Sequence, residues 1–191
     1  AFVEGLDLGR GKGVVDGEQV FQTHTNGISL DNNIDWIYVA DVNGDGLDDV
    51  TLSSRNRTWI GKDILTIDTY ISSVDGQGNF GYSLANKHFG DFKIKKKYKE
   101  SILVGDFLGE GKQSFLLQEG EDNRVNPRQF YITYDGAMLM ETELPSSMVL
   151  DVDRMFACDF NGDGISEIYY SDENSNATGL KRIRKSGSVY Y

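Results

Sequence analysis

Alanine is scarce in this chain, six residues of 191 beside Gly 22, Tyr 10 and Phe 10, and that balance disfavours a helical bundle. Cysteine occurs once, as Cys158, so no intrachain disulfide exists and a small disulfide scaffold is excluded. The longest uninterrupted apolar run is Trp36 to Ala40, against the roughly 20 residues of a membrane-spanning helix. Basic residues are outnumbered, 19 to 30, and the net charge of −11 repels nucleic acid and anionic lipid. Neither nucleic-acid binding nor membrane insertion is expected, whereas a divalent cation suits the charge. The hydrophobic content of 39%, with 12% aromatics, is enough to fold.

Self-similarity organises the chain. The segment Asp41-Val42-Asn43-Gly44-Asp45-Gly46-Leu47-Asp48-Asp49 recurs as Asp159-Phe160-Asn161-Gly162-Asp163-Gly164-Ile165-Ser166-Glu167. A weaker copy is Asp106-Phe107-Leu108-Gly109-Glu110-Gly111-Lys112, and a faint echo is Asp7-Leu8-Gly9-Arg10-Gly11-Lys12. From the echo onward the first aspartates are 34, 65 and 53 residues apart, so the surplus length belongs to loops. Short apolar runs flank each of the three clearer copies: Trp36–Val39 and Val50–Leu52, Ile102–Val104 and Ser114–Leu117, Met155–Ala157 and Ile168–Tyr170. Their β-branched and aromatic content reads as strands, which makes each Gly-Asp segment a strand-to-strand loop.

Further strand-like stretches surround turn signals. Ile67–Ile71 leads to Asp75-Gly76-Gln77-Gly78-Asn79-Phe80, Phe130–Tyr134 to Asp135-Gly136, and Leu180–Ile183 to Ser186-Gly187. Asp-Gly and Ser-Gly supply the positive φ of tight hairpins. Each unit then reads as four antiparallel strands, with boundaries near Ala1–Asn33, Ile34–Tyr98, Lys99–Leu150 and Asp151–Tyr191. Sheets of this kind bury their faces by stacking radially, so the expectation is an all-β propeller or partial propeller of about four four-stranded blades. The chain opens Ala1-Phe2-Val3 without a leader, and a piece of a larger ring is expected over a complete small one.

The loops carry the chemistry. A hard cation such as Ca²⁺ takes six to eight oxygens, and alternate side chains of a tight turn can wrap it. The expected ligands are Asp41, Asn43, Asp45, Asp49 and the Leu47 carbonyl in the first site, and Asp159, Asn161, Asp163, Glu167 and the Ile165 carbonyl in the second. Three carboxylates in one turn repel each other unless a cation neutralises them. The competing reading is an Asx-turn held by hydrogen bonds alone. An EF-hand is rejected because position 12 is Leu52 or Tyr170 and β-forming runs follow. The middle copy has Leu108, Glu110 and Ser114 at positions 3, 5 and 9, and no tight site is expected there or at Asp7, where Arg10 replaces an acid.

These segments, with the Gly-x-Gly-x-Phe hairpin at Gly76–Phe80, resemble the FG-GAP/VCBS repeat, the Ca²⁺-loop propeller blade of integrin α subunits. Similar blades occur in secreted bacterial proteins, including toxin-complex and Rhs/YD-repeat proteins. The Gly-Ala-Pro of the family is absent. The resemblance implies a non-enzymatic, extracellular or cell-surface module for binding, adhesion or scaffolding, with two structural Ca²⁺ ions and a protein or glycan ligand. Two alternatives are a carbohydrate-binding or carbohydrate-processing propeller, with Asp151 and Asp153 as its acid pair, and a shell segment of an Rhs/toxin-complex-type protein.

No catalytic set is expected. Gly81-Tyr82-Ser83-Leu84-Ala85 lacks the helix of a nucleophile elbow, the Gly-Lys pairs at Gly11 and Gly111 lack phosphate-loop spacing, and His24 and His88 lack a metal-protease frame. The Lys93–Lys99 basic run reads as a solvated loop, and the sequons at Asn56 and Asn176 matter only in a eukaryotic secretory host. Cys158, Trp36, Phe107, Phe156 and Phe160 are expected in the core between units.

Overall fold

A computed structural model describes residues 10–15, 18–22, 28, 34–57, 63–93, 102–119, 128–149, 154–172 and 177–191. Every described element is a β-strand, and no described helix is long and apolar enough to cross a membrane. Strands β1 (Arg10–Val15) and β2 (Glu18–Gln22) form a two-stranded ribbon. Strands β3 (Ile34–Ala40), β4 (Asp49–Arg57), β5 (Asp63–Val74) and β6 (Phe80–Lys93) form an antiparallel meander. A second meander contains β7 (Ile102–Gly105), β8 (Ser114–Glu119), β9 (Arg128–Tyr134) and β10 (Leu139–Glu143). The last sheet has three strands, β11 (Arg154–Cys158), β12 (Glu167–Asp172) and β13 (Ala177–Lys181). A short ribbon of β14 (Lys185–Ser186) and β15 (Val189–Tyr190) follows.

Four complete strands were expected in each unit, and two units depart from that. The first has a described ribbon only, and in the last the expected strand Leu180–Ile183 stops at Lys181, after which Arg182 and Ile183 leave the sheet. The turn at Asp75 also differs. Its positive φ falls on Gly78, at 83°, and not on Gly76, because Asp75 Oδ1 accepts the N–H groups of Gln77 and Asn79 and winds the chain two residues further. Gly136 and Gly187 have the expected positive φ.

Period-two alternation gives the two meanders and the last sheet two apolar faces each, and these three sheets stack in chain order. One core lies between the first two meanders: Ala40, Val42, Leu65, Ile67 and Phe92 pack against Phe115, Leu117, Phe130 and Ile132. A second core lies between the second meander and the last sheet with the segment that follows it, where Leu103, Phe107, Leu116 and Tyr131 meet Met155 and Ile168 of the sheet and Ile183 and Tyr190 beyond it. On the opposite face of the first meander, Ile28 packs against Val50, Leu52 and Tyr70. Among the described residues the stack does not close into a ring or barrel.

Stacking explains why β8 is buried at all six positions, since it is covered on both sides. It also explains Gly105, where an added Cβ would lie 2.7 Å from the Ser166 hydroxyl oxygen of the next unit. Two expectations fail here. Phe107 is fully buried, but Trp36, Phe156 and Phe160 are 44–48% exposed, and Cys158 is exposed as well. Each lies on a face or edge that no described sheet covers, so apolar character alone did not guarantee burial.

Candidate metal-binding loops

The three Gly-Asp segments adopt one turn. Each joins the first two strands of its sheet, and each has positive φ at positions 4 and 6: Gly44 and Gly46, Gly109 and Gly111, Gly162 and Gly164. Side chains with a Cβ rarely tolerate that conformation, so these glycines fix the curl. The first aspartate then accepts backbone N–H groups inside the curl. Asp41 takes those of Gly44 at 2.7 Å, Asp45 at 3.2 Å and Gly46 at 2.8 Å, and Asp159 takes the matching three from Gly162, Asp163 and Gly164. Asp106 accepts from Glu110 and Gly111. The middle copy therefore folds alike with Glu110 at position 5 and Ser114 at position 9. The first aspartate and the two glycines are common to all three curls, and the turn forms with or without a carboxylate at position 9.

In the first loop, Asn43 Oδ1 accepts the Asp45 N–H, Asn43 Nδ2 donates to Asp45 Oδ2, and Asp45 Oδ1 accepts the Leu47 N–H. Asp49 is buried, and its carboxylate accepts the N–H of Val42 at 2.9 Å and both the N–H and hydroxyl of Ser72 at 2.8 and 3.2 Å. Burial pushes its pKa above the usual carboxylate range, opposed by the Ser72 and Val42 N–H groups and reinforced by the charge of Asp45. Burial likewise raises the Tyr82 hydroxyl, with Asp49 and Asp48 adding to the rise. No described Lys or Arg forms an ion pair with Asp41, Asp45 or Asp49.

The second loop differs by one residue from outside it. The Arg182 guanidinium donates to Asp163 Oδ2 at 2.9 Å and to Glu167 Oε1, forming an ion pair with both. Glu167 also accepts the N–H of Phe160 and a side-chain N–H of Asn161. Asp159 and Asp163 are held below the usual carboxylate range, Asp159 mainly by the Gly164 N–H and Asp163 mainly by the Ile165 N–H with Arg182 assisting. This loop thus brings its own cation. Sequence reasoning passed over Arg182 because it was assigned to a continuing strand.

The ten expected ligand residues lie in two loops, five in each, but their oxygens face separate donors. Among the described residues no three His, Cys, Asp or Glu side chains converge in a group that suits a metal ion. The hydrogen-bonded Asx-turn, the competing reading of these segments, is the geometry present. It leaves the donor set suited to a hard cation all the same. A carboxylate oxygen that accepts one N–H retains a second lone pair, and every expected ligand atom is oxygen.

Adjacent loops are bonded to each other. The carbonyl of Asp41, position 1, accepts the N–H of Gln113, position 8 of the next loop, at 2.7 Å. One unit further on, the Asp106 carbonyl accepts the N–H of Ser166, again position 8, at 2.8 Å.

Other expectations resolve more simply. Gly81–Ala85 lies within strand β6, so no strand-to-helix elbow exists there. In the Asp7 echo, Arg10 to Lys12 belong to β1, with Arg10 paired to Gln22 and Gly11 to Phe21, so its second half is strand and not turn. Residues 7–9, His24, residues 94–99, Asp151, Asp153 and Asn176 lie outside the described residues. No protein-family model matches the chain, and no curated protein matches it either.

Proposed function

We propose that this chain is a non-enzymatic, propeller-type repeat module whose Asp41–Asp49 loop binds Ca²⁺ as a structural ion. Its role on this reading is binding or scaffolding in a secreted or surface protein. The observation that carries the reading is the contrast between loops of one shape: the middle copy makes the turn with Ser114 at position 9 and with its Glu110 paired to Lys112, while among the described residues no cation pairs with Asp45 or Asp49. Asp41, Asn43, Asp45, Asp49 and the Leu47 carbonyl would hold the ion. Bound there it supplies charge neutralisation and crosslinks the ends of β3 and β4, which rigidifies the loop without chemistry on a substrate. The second loop is a Ca²⁺ site of lower affinity, because the ion must displace Arg182 from Asp163 and Glu167.

Calorimetric titration of the chelator-stripped chain is expected to show two unequal Ca²⁺ equivalents, the tighter with a dissociation constant of roughly micromolar to millimolar order. Asp45→Ala removes the tighter one, and the thermal midpoint rises with Ca²⁺ and falls with chelator. A titration without heat, together with a melt indifferent to both additions, would refute the proposal.

Arg182→Gln isolates the competition. Freeing Asp163 and Glu167 is expected to tighten the weaker equivalent by about five- to tenfold, a modest gain because the ion pairs are partly exposed. Unchanged affinity would show that Arg182 does not compete.

A further inference from the structure

The last sheet repeats, position for position, the junction that the second meander makes with it. In the second meander Leu103 pairs across to Leu116 and Leu116 to Tyr131, and with Phe107 at loop position 2 these four side chains form one side of a buried core. The matching residues of the last sheet are Phe156, Tyr169, Leu180 and Phe160, in the same register. Phe156, Phe160 and Tyr169 stack on one another with ring centroids 4.9 to 6.5 Å apart. Yet Phe156, Phe160 and Leu180 are 48%, 47% and 58% exposed. The residue before each loop is also small, Ala40, Gly105 and then Cys158, as close sheet approach demands, and only Cys158 is exposed. Among the described residues no N–H is donated to the Asp159 carbonyl, although its equivalents at Asp41 and Asp106 each accept one.

The complement of this face is present at the other end of the stack. Ile102 and Val104 of β7 turn toward the first meander, and Ile102 is buried against it. Their equivalents in β3, Ile37 and Val39, are 44% and 55% exposed, beside the cluster in which Ile28 packs against Val50, Leu52 and Tyr70. Asp48 holds position 8, the donor position of both internal junctions.

We infer that a second copy of this chain docks head to tail, its Ile37 and Val39 on Phe156 and Phe160 and its Asp48 N–H on the Asp159 carbonyl. The contact continues the register of two junctions already present within one chain, and each copy carries both halves of it. An interface that joins unlike faces leaves one of each open after pairing, so association can extend beyond the dimer. The inference is independent of whether the loops hold a cation.

Sedimentation velocity on the intact chain over a concentration series tests it, with chelator and with Ca²⁺. The expected wild-type result is concentration-dependent association. Phe160→Asp and Val39→Asp each place a charge in one half of the contact and leave each variant monomeric alone. Mixed in equal amounts they form a dimer that grows no further, since each supplies the intact face the other lacks. Both sites are about half exposed, so folding should survive, and circular dichroism confirms it. A wild type that stays monomeric at the highest concentration reached overturns the inference. So does loss of association in Phe160→Asp but not in Val39→Asp, which means a like-with-like contact, and so does a mixture that remains monomeric.

Discussion

Asp49→Ala is expected to destabilise the calcium-free fold by about 3 kcal/mol, against less than about 1 kcal/mol for Asp45→Ala. The two aspartates belong to one loop, but they sit on opposite sides of its surface. Asp49 is buried and holds the Val42 N–H, which begins the curl, and the Ser72 N–H and hydroxyl, which belong to β5. Truncation strands these donors, and each buried unsatisfied group costs about 1–3 kcal/mol, partly offset by removal of a desolvated charge. The donors around Asp45 are exposed and turn to water. Urea denaturation in chelator measures both variants, and equal losses would mean that Asp49 does not tie the loop to β5.

The same carboxylate gives a pH dependence of defined sign. Because the Asp49 pKa is raised on folding, the native state holds its proton more tightly than the unfolded chain. Its contribution therefore favours folding at low pH and is lost as pH rises from about 3.8 through the folded value. Asp159 and Asp163, with lowered values, contribute in the opposite sense: their stabilisation is present above 3.8 and is lost as pH falls through the folded values. The wild type compared with Asp49→Asn, followed across the acid range in chelator, isolates the Asp49 part. On the proposed reading calcium binds the ionised form, and its addition is expected to flatten the dependence.

Local chemistry was legible in the sequence, and encounters between distant segments were not. Asp, Gly and Gly at positions 1, 4 and 6 dictate a turn through φ and local hydrogen bonds, so three loops and the strands around them could be placed by reading. Arg182 could not be paired with Glu167 by inspection, because its reach depends on where the chain leaves β13. An aromatic such as Phe156 likewise reads as core between units, but burial requires a second sheet against the face it shares with Tyr169. Whether one comes is a property of assembly, which explains why Phe107 was placed correctly and Phe160 was not.

That pair gives the sharpest test of the stacking. Phe107 and Phe160 occupy position 2 of identical turns, so a difference between their alanine variants reports the neighbour and not the loop. Phe107→Ala is expected to cost about 3–5 kcal/mol, since the ring is fully enclosed by the second core and lies edge-on to Tyr131 at 6.5 Å. Phe160→Ala should stay within about 1 kcal/mol, losing ring contacts with Phe156 and Tyr169 on a face already half open to water. Denaturation curves recorded at the dilute end, where copies stay apart, measure both, and unchanged slopes would show that neither variant alters the surface exposed on unfolding. If Phe160→Ala equals Phe107→Ala there, the last sheet is already covered within a single chain and has no open face. If the cost of Phe160→Ala is small in dilute solution and grows with protein concentration, the missing neighbour is another copy.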